Sequence, residues 1–524
     1  MAARPPTTRR EFLKMVAAGS AGLALASGER LRADSSDKMP KPNILFLMTD
    51  QHRADCLGCD GNRVIKTPNF DRIAREGVMF THAYSSTPTC TPARSAVLTG
   101  LAPWHHGMLA YGRVALHYPF ELPRAITDAG YYTFAIGKLH YHPQRNYHGF
   151  HDAVLDESGR AESAGFVSDY RKWFKEKAPE LNPDATGIGW NDYRSRQYAL
   201  PEELHPTRWT GDRAVEFIGK YDREEPFFLK VSFARPHSPY DAPKRFWDMY
   251  KEEDMPAPHV GDWAGRYAHV DDQKDFNLWH GDLGIEQARR SRHGYYGNVT
   301  FIDEQVGRIL KALEDRGMLD STLILFTSDH GDMLGDHHLW RKSYAYEASA
   351  RVSMLIRWPD ASTSSALQAG IARGSKLPQP VELRDLLPTF LDAAGAKIPN
   401  NLDGDSMLKL VRGDTSGWRE WIDLEHGTCY AEENTWNGLT DGRWKYVYHA
   451  FDGREQLFDL KTDPGEIHDL ASDASCSNAL KAWRGRMVEH LSERGDGFVK
   501  DGKLVPRPQR MTYGPKFPDP RDGG

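Results

Sequence analysis

Four short apolar runs constrain the fold most. "NILFLM" (43–48) is almost wholly apolar and ends at Thr49-Asp50. "LILF" (323–326) ends at Thr327-Ser328-Asp329-His330. "YTFAI" (132–136) runs into Gly137-Lys138-Leu139-His140, and "PFFLKVSFARPHSPY" closes on Arg235-Pro236-His237. A run this short with no polar face suits a strand buried on both sides of a parallel sheet. In such sheets ligands bind beyond the carboxyl ends of the strands. Asp50, His140, His237 and Asp329 all stand at such ends.

Helical patterns lie between the runs. "TPNFDRIAREG" places Phe70, Ile73 and Ala74 on one face, with Gly77 as a stop. A second helix is expected from about Val299 to Arg316, with Ile302, Val306, Ile309, Leu310 and Leu313 facing inward and Gly317 ending it. Alternating strands and helices predict an α/β fold with a large, mostly parallel sheet flanked by helices. Residues from about Gly149 to Arg290 read largely as long loops over the strand ends. Past Ala394, "DGRWKYVYHAFDGREQLFDL" alternates aromatic and polar residues around Asp452-Gly453 and predicts a hairpin. An amphipathic helix ending at Gly495 follows. The expected division is an export signal at 1–33, a catalytic domain at 40–395 and a smaller C-terminal α+β domain at 396–524.

The first residues carry Arg9-Arg10, then Phe12-Leu13-Lys14 and a mild run from Met15 to Ala26. The run is too short and too rich in Gly, Ala and Ser to span a bilayer. It resembles a bacterial twin-arginine export signal, which implies a translocase partner and a periplasmic or secreted product without stable membrane insertion. The net charge of −6 argues against a general nucleic-acid binder, so any anion site is built locally.

"SSTPTCTPARSAVLTG" (85–100) sets Cys90 among polar residues in a chain with five cysteines. Such a thiol could be a small buried hydrophobe, a disulfide partner or a zinc ligand. The odd count leaves at least one cysteine unpaired. The one CxxC, Cys56 and Cys59, has no second pair to complete a zinc site. The remaining reading is a reactive position. Asp50 and Asp329, brought together beyond adjacent strands, would repel without a cation between them. A hard divalent ion with oxygen ligands answers that: Ca2+, or Mg2+ or Mn2+. Gln51 offers a carbonyl oxygen and His330 a nitrogen. Arg94, Lys138, His140, His237 and Lys342 come from segments expected to meet in the same crevice. Cations and a metal around one nucleophile suit sulfuryl or phosphoryl transfer.

"CTPAR" at Cys90–Arg94 resembles the Cys-x-Pro-x-Arg signature of the formylglycine-dependent sulfatases, in the alkaline phosphatase superfamily. The likeness extends through "ILFLMTDQHRAD", "TPNFDRIAREGVMF", "GKLH", "SDHGDMLGDH" and "QLFDLKTDPGE". The resemblance implies that a maturation enzyme oxidises Cys90 to formylglycine, whose hydrate is the nucleophile. It implies metal ligation by Asp50, Gln51, Asp329, His330 and the oxygen of residue 90. Arg94 would steady the formylglycine, Lys138 and Lys342 would hold sulfate oxygens, His237 would help protonate the leaving alcohol, and His140 would take the proton that expels sulfate. Many sulfatases carry Asp-Asp and Asp-Asn where this chain has Asp50-Gln51 and Asp329-His330. The Gln and His pairing also occurs in related phosphonate monoester hydrolases and phosphodiesterases, which form the alternative reading. A non-catalytic binding protein of the same fold is a third. The stretch around Lys342 resembles carbohydrate-acting sulfatases, and Trp104, Tyr111, Tyr240, Trp247 and Trp279 are candidate groove residues for a sulfated sugar.

Overall fold

The computed structural model describes residues 41–518 apart from 161–162, 361–368 and 429. The twin-arginine segment lies outside the described residues. Strand β1 (Asn43–Asp50) is central. Moving outward on one side it pairs in parallel with β5 (Phe227–Pro236), which pairs with β3 (Tyr132–Gly137), then β4 (Asp152–Leu155). On the other side β6 (Thr322–Ser328) is parallel to β1. Beyond it, β7 (Met354–Arg357) runs antiparallel between β6 and β2 (Val78–Phe80), and β8 (Ser375–Leu377) completes the eight strands.

The alternation of β1 explains why its run has no polar face. Ile44, Phe46 and Met48 enter one core with Phe228, Leu323 and Leu325. Leu45 and Leu47 enter the other with Leu229, Val231, Ile324 and Phe326. Helices α2 (Cys90–Thr99) and α5 (Leu386–Ala393) pack on the first face. Helices α1 (Pro68–Arg75), α3 (Pro206–Lys220) and α4 (Ile285–Asp315) pack on the second.

Two expectations need correction. Helix α4 begins at Ile285 rather than near Val299. Its first half contains Gly294 and Gly297. A Cβ at Gly294 would lie 2.6 Å from the Tyr240 carbonyl oxygen, and one at Gly297 would lie 2.6 Å from Ala242 Cβ. Those glycines permit close packing inside the helix. The segment expected as loops also holds the 15-residue α3, whose buried face runs through Thr207, Gly211, Ala214 and Ile218, so that its polar and glycine positions hide the helical period from an apolar pattern.

A second, antiparallel sheet runs β9 (Ile422–His426), β10 (Trp436–Thr440), β11 (Trp444–His449) and β12 (Arg454–Asp459). The β11–β12 hairpin turns through Gly453 at φ 77°. Helix α6 (Ser477–Ser492) covers this sheet with Trp483, Met487 and Leu491. Met407, Leu408, Leu410 and Val411 still pack on the first core. Among the described residues no helix is long and apolar enough to cross a membrane.

Candidate active site

Strands β3, β5, β1 and β6 are neighbours, so their carboxyl ends deliver Lys138, His237, Asp50 and Asp329 to one crevice. Helix α2 points its first residue, Cys90, into the same place. The amino end of a helix favours negative charge on such a residue. Ligand atoms of Asp50, Cys90, Asp329 and His330 lie within 4.8 Å of one another, all buried. Cys90 Sγ is 3.2 Å from His330 Nε2 and 3.8 Å from Asp50 Oδ1.

Two carboxylates, an imidazole and the residue 90 side chain make a donor set that fits a divalent ion. The His330 ring is oriented for that use. Its Nδ1 donates to the Gly331 carbonyl at 2.9 Å, which turns Nε2 toward Cys90 and the carboxylates as the atom able to ligate an ion. Burial lowers its pKa, and Asp329 and Cys90 raise it by more than that. Gln51, also expected as a ligand, is held otherwise here: its Oε1 accepts from Lys342 Nζ at 2.7 Å and its Nε2 donates to Asp332 at 2.5 Å.

The cations bracket these groups. Arg94 donates from Nε to Asp329 Oδ2 at 3.0 Å and from Nη2 to Asp50 Oδ2 at 3.3 Å. Its Nη1 donates to the Lys138 carbonyl at 2.7 Å. Lys138 Nζ donates to Asp50. Burial pushes the Asp50 carboxyl upward, but Lys138, His237, Arg94 and His330 together hold it well below the usual range. Burial and Asp50 raise the Cys90 thiol, while Lys138, Lys342 and His330 bring it down to about 7.

Two further histidines, His140 and His237, stand among these cations. Burial, then Arg160, Lys138 and Arg94, push His140 well below its ordinary value. It is therefore a neutral imidazole, the form a proton acceptor needs. Its backbone N–H and that of Leu139 both donate to Glu157 at 2.9 Å. His237 Nδ1 donates to the Ser238 carbonyl at 2.9 Å, leaving Nε2 to accept from Lys342 Nζ at 2.8 Å.

The small sheet supports the loop that leads into Cys90. Thr89 Oγ1 lies 2.9 Å from His426 Nε2 and 2.6 Å from Ser343 Oγ. Glu425 N–H donates to the Ser86 carbonyl at 2.8 Å. Arg160, Trp190, Asn191, Asp332 and His426 were not singled out from the sequence. Of the expected groove aromatics only Tyr111 stands beside the site, 5.9 Å from His140. Trp104 is buried against Phe498, Tyr240 is buried with its hydroxyl on Asp332, Trp247 packs on His293, and Trp279 packs on His280 and Tyr430. These four are packing residues, as loop aromatics commonly are.

The family model "Sulfatase" matches residues 42–396, and "N-sulphoglucosamine sulphohydrolase, C-terminal" matches 335–493. An arylsulfatase of Clostridium perfringens (strain 13 / Type A) is 38% identical over 89% of this chain and 97% of its own. A choline-sulfatase of Rhizobium meliloti (strain 1021) is 33% identical over 88% and 90%. The solved phosphonate monoester hydrolase of Agrobacterium radiobacter is 25% identical, with a TM-score of 0.71 over 89% of this chain and 100% of that one. The chain belongs to the sulfatase family and is a sulfuric ester hydrolase.

Proposed function

We propose that this sulfatase acts on a sulfated carbohydrate, with a formylglycine made from Cys90 as nucleophile and a divalent ion held by Asp50, Asp329, His330 and residue 90. One observation carries this reading: the residue 90 side chain, at the amino end of α2, stands among three metal-type donors with Lys138 and Lys342 close enough to depress its pKa. When bound, the ion supplies Lewis-acid polarisation of the residue 90 oxygen and of a sulfate oxygen. Ca2+ fits the hard carboxylates, and Gln51 joins the ligands if its amide leaves Lys342.

The chain's own residues carry the proton traffic. One hydroxyl of the hydrated aldehyde passes its proton to Asp50, whose Oδ1 lies 3.8 Å from the residue 90 side chain, and attacks sulfur, and the S–O bond to the alcohol breaks. The pair formed by His237 Nε2 and Lys342 Nζ delivers the proton to that alcohol. His140 then takes the proton of the second hydroxyl. The C–O bond to sulfate breaks, and the aldehyde returns without attack of water on sulfur. A serine at position 90 would be sulfated once and stop. Arg94 holds the two aspartates in place throughout, and Lys138 and Lys342 hold sulfate oxygens.

A sugar substrate is supported by the C-terminal match to the N-sulphoglucosamine sulphohydrolase model. Export through a twin-arginine translocase is supported by Arg9-Arg10 and the apolar run after them, and maturation by a formylglycine-generating enzyme is supported by the Cys90–Arg94 signature. The phosphonate monoester or phosphodiester reading draws on Gln51 and His330, which give the metal site less negative charge than an Asp-Asp and Asp-Asn set.

The test is steady-state turnover of a matched aryl sulfate, phosphate diester and phosphonate monoester, followed by sulfated saccharides, with peptide mass spectrometry of residues 85–94. Sulfate release with an aldehyde at residue 90 is expected. Dominant diester or phosphonate turnover with inert sulfates overturns the substrate, and full activity with an unmodified thiol overturns the nucleophile.

A further inference from the structure

Three side chains from connecting segments rim the site on its open side. Arg160 Nη1 lies 3.1 Å from both ring nitrogens of His140. Its guanidinium carbon is 5.1 Å from the centre of the Trp190 ring, which is itself 5.2 Å from His237. Tyr111, 46% exposed, approaches His140 from the same side. Asp50, Asp329, His330 and Lys138 below them are completely buried, whereas Arg160 and Trp190 are half-buried. During transfer the sulfate stays on residue 90 and the alcohol departs past His237. Trp190, beside His237, therefore faces the alcohol half of the ester, and Arg160 reaches over the Trp190 ring toward it from the His140 side.

The charges there do not match. Arg94 and Lys138 face the carboxylates of Asp50 and Asp329. With a divalent ion answering the two carboxylates, Lys138 and Lys342, the latter bonded to Gln51, Asn191 and His237, already meet the single negative charge of a sulfate monoester. Arg160 is a further cation beyond them, on the side of Trp190. Nearby buried arginines have carboxylate partners, Arg53 with Asp55 and Asp336, and Arg235 with Asp241. Among the described residues no carboxylate forms an ion pair with Arg160, although burial is opposed by the more distant charges of Cys90, Asp50 and Glu157, which raise its pKa; its polar contact is His140, and its guanidinium lies over the Trp190 ring. A guanidinium cannot shed its proton, and a charge withdrawn from water without a partner is costly.

We propose that Arg160, flanked by Trp190 and Tyr111, is a specificity-determining residue that receives a second negative charge, a carboxylate or another sulfate, on the alcohol half of the substrate. The preferred ester is thus dianionic, its ring lies against Trp190 and Tyr111, and a cationic alcohol is disfavoured. The inference rests on the sulfatase reading and narrows its substrate class.

The test uses the matured enzyme with 3-carboxyphenyl sulfate against its methyl ester, benzene-1,3-diyl disulfate against phenyl sulfate, and choline sulfate as the cationic ester. The carboxylate and disulfate arms separate the two sources of charge. In the unsubstituted enzyme, kcat/KM for at least one dianion should exceed that for its monoanionic partner by about tenfold or more, chiefly through KM. Choline sulfate should be the poorest substrate. Arg160→Leu should lower kcat/KM for the preferred dianion about tenfold more than for its partner, and Arg160→Lys should keep part of the preference. Ratios near one in the unsubstituted enzyme, preferred turnover of choline sulfate, or equal losses on both members of a pair would overturn the assignment. Equal losses would place Arg160 behind His140 instead. Absence of sulfate release from every ester would be a distinct result, defeating the sulfatase reading itself.

Discussion

Arg94 Nε and Asp329 Oδ2 lie 3.0 Å apart, and neither side chain has any solvent exposure. The same guanidinium reaches Asp50, so one buried cation ties the ends of β1 and β6 together. Arg94→Met should cost on the order of 3–5 kcal/mol, because it leaves two carboxylates buried with less compensation. Arg94→Lys should recover only part, since an ammonium lacks the fork that spans both acids. Urea unfolding of the metal-free protein reads this directly, and a loss below about 1 kcal/mol would contradict it.

Removal of Asp329 should empty the proposed metal site. Asp329→Ala is expected to fall from about one divalent ion per chain to below about a tenth by elemental analysis, with sulfate ester turnover down at least ~100-fold. In the unsubstituted protein, chelation should abolish turnover and Ca2+ should restore it better than Mg2+ or Mn2+. Undiminished metal in Asp329→Ala would remove that residue from the ligand set.

His140 and His237 should fail at different steps. His140→Ala should release about one equivalent of alcohol and then stall, with the sulfate ester retained on residue 90 and visible by intact mass. His237→Ala should slow the alcohol burst itself. A burst of free sulfate from the His140 variant would reverse the assignment.

Lys230 gives a pH signature away from the reacting atoms. It lies inside β5, its ammonium group between the rings of Phe46 and Tyr141. Burial, then Arg94, lowers its pKa from 10.5 to about 7 against the opposing pull of Asp329 and Glu157. Above about 7 the folded protein holds it neutral while the unfolded chain still binds a proton up to about 10.5. Its contribution to stability therefore rises with pH across that window and is flat below it. Lys230→Met should remove this slope and stabilise the protein at pH 7 by roughly 3–5 kcal/mol, with the gain shrinking toward pH 10. Parallel stability curves for the two proteins would refute this.

The strand ends were legible because a residue that closes a doubly buried run has few places to go. Asp50, Lys138, His237 and Asp329 follow from that rule, and Cys90 follows from its conspicuous neighbours. Arg160, Trp190 and Asn191 were not legible. Their positions depend on where long connections fold back over the sheet, and nothing local in "ESGR" or "GIGWND" marks that path. His426 was hidden differently: it sits in the small sheet and meets Thr89 only through tertiary packing. The early start of α4 was masked by glycines that look like punctuation and serve close contact.

Every residue from Ala83 to Gly100 is buried in the folded chain. A second protein cannot read a stretch it cannot touch. Whatever alters residue 90 must therefore reach it while the polypeptide is still open, before β1, β6 and the small sheet close around it. On the proposed maturation and export route, a chain that closes first with its sulfur unaltered is locked out of repair, and a pathway that exports finished folds would carry it out of the cell with the rest. Secreted yield and active yield would then diverge by a kinetic contest fought in the cytoplasm, and slower folding would raise the active fraction.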